Sequence, residues 1–537
     1  MKKITITLFV LLLLIQNGYT QENIPHLKKV GDKTHLVVEG KPFIVLGGEL
    51  GNSSFTSVEY MKPHWDRLKS MNLNTILAPV YWELIEPSEG QFDFELLDKL
   101  IDETRKNNMK LILLWFGSWK NSMSSHVPSW IKQNQAKYPR AKDERGVSQE
   151  ILSPFSENNV NADLNAFRAL MKHIKSMDKG YQTVIMVQPE NEIGMLPSAR
   201  DYSPLANQLF KEQVPTELMD YLKKNKEKLV PEFLDVWRKN GYKTQGTWED
   251  IFGQGYKTDE LFMAWYFAKY TEKIVKAGKE IYSLPMYVNA ALIRPGKIPG
   301  EYPSAGPLPH LMDIWKAGAP SIDMLSPDFY NPGFEYWNDL YVRQNNPLFI
   351  PEHRFDNTVG AKTLYAIGHY EAIGFSPFSI ESSENMELSH AYDLIKQLQP
   401  LITENFGQNK IEGVLLDKDK IQTTVVLGDY EFSFKNSYIL GWEAGASNDD
   451  WDSGGAIIIQ TNNNEFFVAG SGIVATFKNW KKKNKIVGIL KDEEGVFENG
   501  KWKIIRHLNG DQTHQGRHIR ISHGDYSIQR VQLYEYE

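Results

Sequence analysis

Eight short apolar runs alternate with segments of helical spacing, and few folds accommodate that. The runs fall at 43–49, 75–82, 110–119, 184–192, 285–291, 323–330, 348–352 and 375–380. Between them, 60–71 places Trp65, Leu68 and Met71 three apart, 94–106 carries Leu97 and Ile101, and 164–177 carries Phe167, Leu170, Met171 and Ile174 on one stripe. Segments 261–281, 336–343 and 364–373 fill the later gaps. The run Val184-Ile185-Met186-Val187 has no polar alternation, the mark of a strand covered on both faces in a parallel sheet. Parallel neighbours need a crossover, usually a helix. The pattern therefore predicts an α/β fold: a (β/α)8 barrel over 43–405.

Two connections exceed a plain crossover, 120–160 after the third strand and 197–283 after the fourth. Insertions that follow strands rise on the carboxyl-terminal rim of a barrel, so both are expected to wall whatever site sits there. Residues 21–42 read as N-terminal strands packing on the barrel. Beyond a helix at 388–402 the texture changes. Short β-rich runs at 423–427, 456–460, 465–468, 503–505 and 529–536, separated by Gly/Asn/Asp turns, predict an all-β, sandwich-like domain over 406–537.

Residues 1–20 have the charged, apolar and polar sections of a signal peptide, with an apolar part too short to span a bilayer comfortably. The expectation is an exported protein, periplasmic or extracellular and soluble once that segment is removed. The chain has no cysteine, which rules out disulfides and thiolate metal sites. A net charge of −7 offers no basic surface for nucleic acid. Tryptophan and tyrosine, 14 and 25 of them, either fill a large core or present faces to sugar rings.

Barrel strands deliver functional groups at their carboxyl ends. Two apolar runs end in polar clusters, Gln188-Pro189-Glu190-Asn191-Glu192-Ile193-Gly194 on the fourth and Pro351-Glu352-His353-Arg354 on the seventh. A pair of strand-end glutamates is the minimum equipment for acid/base chemistry on a glycosidic bond. Glu190, Trp82, Glu83, Trp119, Tyr330 and Arg354 stand at or beside strand ends as further candidates to bind a sugar. Glu190 lies two residues from Glu192 and on a strand would share its face. Arg354 is placed either to keep Glu352 ionised or to make a rim salt bridge. Glu49 and Glu381 are weaker strand-end candidates.

The segment Gln188–Gly194 resembles the Gln-x-Glu-Asn-Glu-(Tyr/Ile)-Gly signature of glycoside hydrolase family 35, a β-galactosidase family within the clan of retaining barrel hydrolases. Similarity extends to His64–Leu68, Asn72–Thr75, Tyr81–Glu83 and Glu86–Phe94. The resemblance implies that Glu192 is the general acid/base, Glu352 the nucleophile and Asn191 a hydrogen-bond partner of the sugar 2-hydroxyl. It implies removal of terminal β-galactose from oligo- or polysaccharides by double displacement, without metal or organic cofactor. One departure stands out: where many members carry Ala-Glu-Trp at the end of the third strand, with that Glu reading galactose hydroxyls, this chain has Gly117-Ser118-Trp119. A β-glucosidase, an α-L-arabinopyranosidase or a non-catalytic glycan-binding barrel remain as other readings.

Overall fold

The computed structural model describes residues 24–382 and 386–537. The expected signal segment at 1–20 lies outside the described residues. None of the described helices is long and apolar enough to cross a membrane.

The eight barrel strands are Val45–Glu49, Thr75–Tyr81, Lys110–Phe116, Val184–Pro189, Tyr287–Ala291, Met324–Phe329, Phe349–His353 and Gly374–Pro377. They form one parallel sheet in the order fifth, sixth, seventh, eighth, first, second, third, fourth. The Val187 N–H donates to the Pro285 carbonyl (3.1 Å), and Val187 bridges Met286 in parallel register, which closes the fourth strand onto the fifth. The α/β barrel expected from the alternation is the fold observed. Asn74 stitches its first two strands: its Oδ1 accepts from Leu46 N–H (2.9 Å) and its Nδ2 donates to the Ile44 carbonyl (2.9 Å).

Most expected strands run past their observed ends. Residues 117–119, 190–192 and 330 leave the sheet because the chain there turns over the barrel mouth. Phe43 belongs instead to a three-stranded antiparallel sheet, His26–Val30, Lys33–Val38 and Lys41–Phe43, whose second turn places Glu39 and Gly40 in the left-handed region (φ 52° and 76°). That geometry matches a two-residue hairpin turn. The helix expected over 60–71 is two pieces, Val58–Met61 and Trp65–Ser70, broken around Pro63, which cannot donate into a helical ladder.

The insertions are shorter than their expected limits. The third crossover helix starts at Glu157, capped by Ser156, and the fourth is the 26-residue helix Tyr256–Ile281, so both take residues assigned to insertions. What remains is a short helix, Ser129–Lys132, a hairpin, Arg140–Lys142 with Ser148–Leu152, and four short α-helices and a 3-10 turn between Pro204 and Phe252.

The C-terminal region is a pair of antiparallel sheets, six strands facing four. Phe432, Phe434, Ile458, Phe466 and Val531 fill the layer between them. The outer face of the larger sheet joins the barrel core through Ile457, Ile459, Phe467 and Ile528, against helices Val359–His369 and Met386–Asn405.

Candidate active site

The fourth strand ends at Pro189 and the chain turns at once. Glu190 and Glu192 both take left-handed backbone (φ 62° and 41°), a conformation that strains a residue with a Cβ by about 1–2 kcal/mol. Side chains from neighbouring strands hold it. Asn191 Oδ1 accepts from Gln188 Nε2 (2.6 Å) and from Asn289 Nδ2 (3.1 Å), while Asn191 Nδ2 donates to the Lys120 carbonyl (2.9 Å). The Glu192 N–H donates to Asn289 Oδ1 (2.9 Å). The turn aims Glu192 across the barrel mouth.

There it meets Glu352, at the end of the seventh strand. One oxygen each from Glu192, Asp328 and Glu352 lie within 4.8 Å of one another. The phenol of Tyr330 donates to Glu352 Oε1. Asp328, on the sixth strand, accepts from Asn289 Nδ2 through Oδ2 (2.9 Å). Glu49, buried at the end of the first strand, completes a group of four carboxyls. Lys120 stands beyond the third strand with its ammonium over the Phe116 ring (5.6 Å). Among the described residues that ammonium makes no ion pair within 4 Å, so its charge acts on the cluster from a distance.

Four carboxyls in a closed space cannot all be ionised. Burial, then the Glu352 charge, holds Glu49 well above the usual carboxylate range. Asp328 is held well above it by burial and then by Glu352 and Glu192. Burial followed by the Glu192 charge pushes Glu352 up to about 8, opposed by the Tyr330 hydroxyl and Lys120. Glu192 is raised by burial, opposed by Lys120, Asp328 and Arg294. Glu192 and Glu352 therefore titrate as a pair. The donated Tyr330 O–H favours the ionised form at Glu352, as Lys120 and Arg294 do at Glu192, so the two carboxyls share a proton between them.

Other residues singled out in the sequence lie elsewhere. Glu190 does not share the face of Glu192, because neither residue is on the strand and alternation no longer applies. Its carboxyl, 1 % exposed, accepts from Trp119 N–H (2.7 Å) and abuts Asp163. Trp82 opens a short helix, fully buried against Trp115 and Trp130 with its indole N–H on Glu86 (2.7 Å), so it has no face for a sugar. Trp119 is equally enclosed, edge-on to Phe267 and Tyr270. Glu83 is held by His126 (2.7 Å) and Lys132 (3.5 Å). Arg354 donates to the Tyr330 carbonyl (3.0 Å) and makes no ion pair with Glu352; the cation facing Glu352 is Lys120. Asn191 is nearly fully buried and committed to the turn. Its expected contact with a 2-hydroxyl would have to use the remaining amide hydrogen.

The Gly-Ser-Trp departure has a physical reason. Ser118 is buried and donates through Oγ to Asp163 (2.5 Å), which also accepts from Trp115 Nε1 (2.8 Å) and Tyr270 (3.0 Å). A Cβ at Gly117 would lie 2.5 Å from Trp115 Nε1 and 3.0 Å from Glu190 Oε1. Alanine does not fit here. Asp328, Asn289 and Lys120 escaped the sequence reading, although polar residues inside the runs Val288-Asn289-Ala290 and Pro327-Asp328-Phe329 were the available signal.

Comparison with known proteins narrows some of this. Residues 56–253 match the glycoside hydrolase family 42 model, described as "Beta-galactosidase", and residues 388–520 match a "Domain of unknown function (DUF5597)". The first match covers strands two to four with Asn191 and Glu192, and stops short of Glu352. The narrower likeness to family 35 is not supported; what these residues match is a glycoside hydrolase domain of β-galactosidase type, consistent with a clan A glycoside hydrolase. A β-1,2-glucosyltransferase of Ignavibacterium album is 25% identical over 203 residues, 35% of this chain and 28% of that protein. A β-galactosidase of Xanthomonas manihotis is 25% identical over 168 residues, 30% of this chain and 25% of that protein. The chain spans about a quarter of the length of the curated relatives it matches. Among solved structures, the β-galactosidase of Marinomonas ef1 superposes with a TM-score of 0.45 at 14% identity, covering 67% of this chain and 60% of that one.

Proposed function

We propose that the protein is a retaining exo-β-galactosidase that removes terminal non-reducing β-D-galactosyl residues from oligo- or polysaccharides. The observation that carries this is the spacing: carboxyl oxygens of Glu192 and Glu352 lie within 4.8 Å across one barrel mouth. Retaining glycosidases hold their two carboxyls about 5–5.5 Å apart, inverting ones about 6.5–9.5 Å. The family model and the Xanthomonas relative support galactose as the sugar.

In the first step Glu352 attacks the anomeric carbon while the bond to the leaving oxygen breaks and Glu192 gives that oxygen its proton. The galactosyl ester on Glu352 is then hydrolysed: Glu192 takes a proton from water, the hydroxide joins the anomeric carbon, and the Glu352 carboxylate is released. Proton transfer of this kind contributes about 10²–10⁴-fold. No metal or cofactor enters the scheme, and dialysis against a chelator is expected to leave the rate unchanged.

The direct test is proton NMR of a p-nitrophenyl β-galactoside digest. β-Galactose appearing first is expected; α-galactose appearing first would mean inversion. A panel of β-glucoside and α-L-arabinopyranoside substrates separates the neighbouring specificities. The glucosyltransferase relative favours one further reading, transfer of the sugar to another sugar instead of water, which the same spectra show as a new disaccharide. The exported location is proposed from residues 1–20, and N-terminal sequencing of the secreted protein checks it: a mature chain that still begins at Met1 contradicts it.

A further inference from the structure

The mechanism above uses two carboxyls, and the mouth of the barrel holds a third beside them. Asp328 is 1 % exposed. Its Oδ2 takes the Asn289 amide, while its Oδ1 has no N–H or O–H donor within reach. A buried carboxylate oxygen without a donor is costly, and the group it meets is the carboxyl of Glu192. Two carboxyls in contact are stable when one keeps its proton and donates it to the other.

Resting on the reading of Glu192 as acid/base, we propose that Asp328 stays protonated through the cycle and is the positioning residue that donates a hydrogen bond to the Glu192 carboxylate. Asn289 sets the polarity of the arrangement. Its Nδ2 occupies the Oδ2 side of Asp328, which makes that oxygen the acceptor and leaves Oδ1 to carry the hydrogen toward Glu192. The contact tightens when Glu192 has given its proton to the leaving group and become charged, since hydrogen bonds to ions are the stronger kind. It therefore stabilises the state in which the galactosyl ester waits for water. No proton leaves Asp328 in either step.

The groups around the pair fit this assignment. Glu49 from the first strand and Glu352 from the seventh oppose ionisation of Asp328, and the buried phenols Tyr287 and Tyr341 lie within range of its charge, the latter donating to the Pro307 carbonyl (3.1 Å). Lys120 and Arg294, the cations facing the site, act on Glu192 and leave Asp328 to its carboxyl neighbours. Tyr330 is committed to Glu352. Glu381, behind Glu49, is held by Ser54 and the Gly51 N–H (3.0 Å).

Two variants decide the matter. In Asp328→Asn the amide oxygen can face Asn289 and the NH₂ can face Glu192, so the donor survives. This variant should restore most of the kcat/KM that Asp328→Ala loses and keep the alkaline limb from moving up. Asp328→Ala removes the donor: kcat/KM should fall about 10–100-fold, and the alkaline limb, set by Glu192, should move up by about one pH unit. An ionised Asp328 predicts the opposite sign, because removing its charge in either variant would lower the alkaline limb. That result, or two variants with wild-type rates and profiles, overturns the proposal. Infrared spectroscopy supplies a readout independent of turnover. The carbonyl stretch of a protonated carboxylic acid should be present in wild type at pH 7 and lose one component in Asp328→Asn; an unchanged band overturns the proposal. Wild-type protein without β-glycosidase activity would instead remove the functional reading, and the infrared result would still locate the proton.

Discussion

At the scale of single residues, charge placement separates the roles of chemically identical carboxyls. Lys120 is the cation that opposes the rise of Glu352 and Glu192. In Lys120→Met that opposition is gone, Glu352 ionises at higher pH, and the acid limb of kcat/KM should move upward, by up to about one unit. A downward move would show that the ammonium does not face Glu352. Glu190 is the contrasting case, a buried carboxyl raised well above the usual range by burial and Asp163. A group raised in the native state favours folding below its unfolded value, about 4.3, and that contribution is lost as pH climbs through the native value. Glu190→Gln keeps an acceptor for Trp119 and never ionises. Its melting temperature relative to wild type should therefore rise between pH 5 and pH 8; a constant difference would mean that Glu190 is ionised in the fold across that range, its carboxyl not raised. The sequence shows both glutamates in one motif, yet one faces the barrel mouth and the other the Trp119 backbone because of two left-handed residues that no periodicity reveals.

At the scale of elements, the apolar runs identified strands well because burial on both faces leaves an unbroken signature. Their ends were read too long, since the polar residues that line the mouth continue the run in sequence after they have left the sheet. Trp82 and Trp119 were assigned to a sugar on that basis, whereas the structure uses them to pack the crossovers beneath the rim. The end of the third strand shows how tight that packing is. Gly117→Ala would drive a Cβ into Trp115 and Glu190, an overpacking expected to destabilise by about 1–3 kcal/mol. Denaturant unfolding measures this, and a variant as stable as wild type would mean the Asp163 network yields freely.

At the scale of the whole molecule, the sandwich keeps an apolar layer of its own, but the outer face of its larger sheet joins the barrel core across a seam that includes glycines. Gly368 on a barrel helix faces Gly413 on the first strand of the sandwich, and a Cβ at Gly413 would lie 2.6 Å from the Tyr365 carbonyl oxygen. Gly413→Val should lower the melting temperature of the entire chain in a single calorimetric transition; two separated transitions would mean that the seam does not couple barrel and sandwich. None of this seam was legible beforehand, because close approach between distant segments leaves no local pattern. The meeting of Glu192 and Glu352, 160 residues apart in the chain, was legible, since strand order alone carries both to one rim. The most direct measurement of that meeting is peptide mapping by mass spectrometry after incubation with 2,4-dinitrophenyl 2-deoxy-2-fluoro-β-galactoside, which traps the ester of a retaining enzyme. The label should sit on Glu352, and Glu352→Gln should take none. A label on any other residue, or wild-type turnover of galactosides with no trapped ester, would contradict the account.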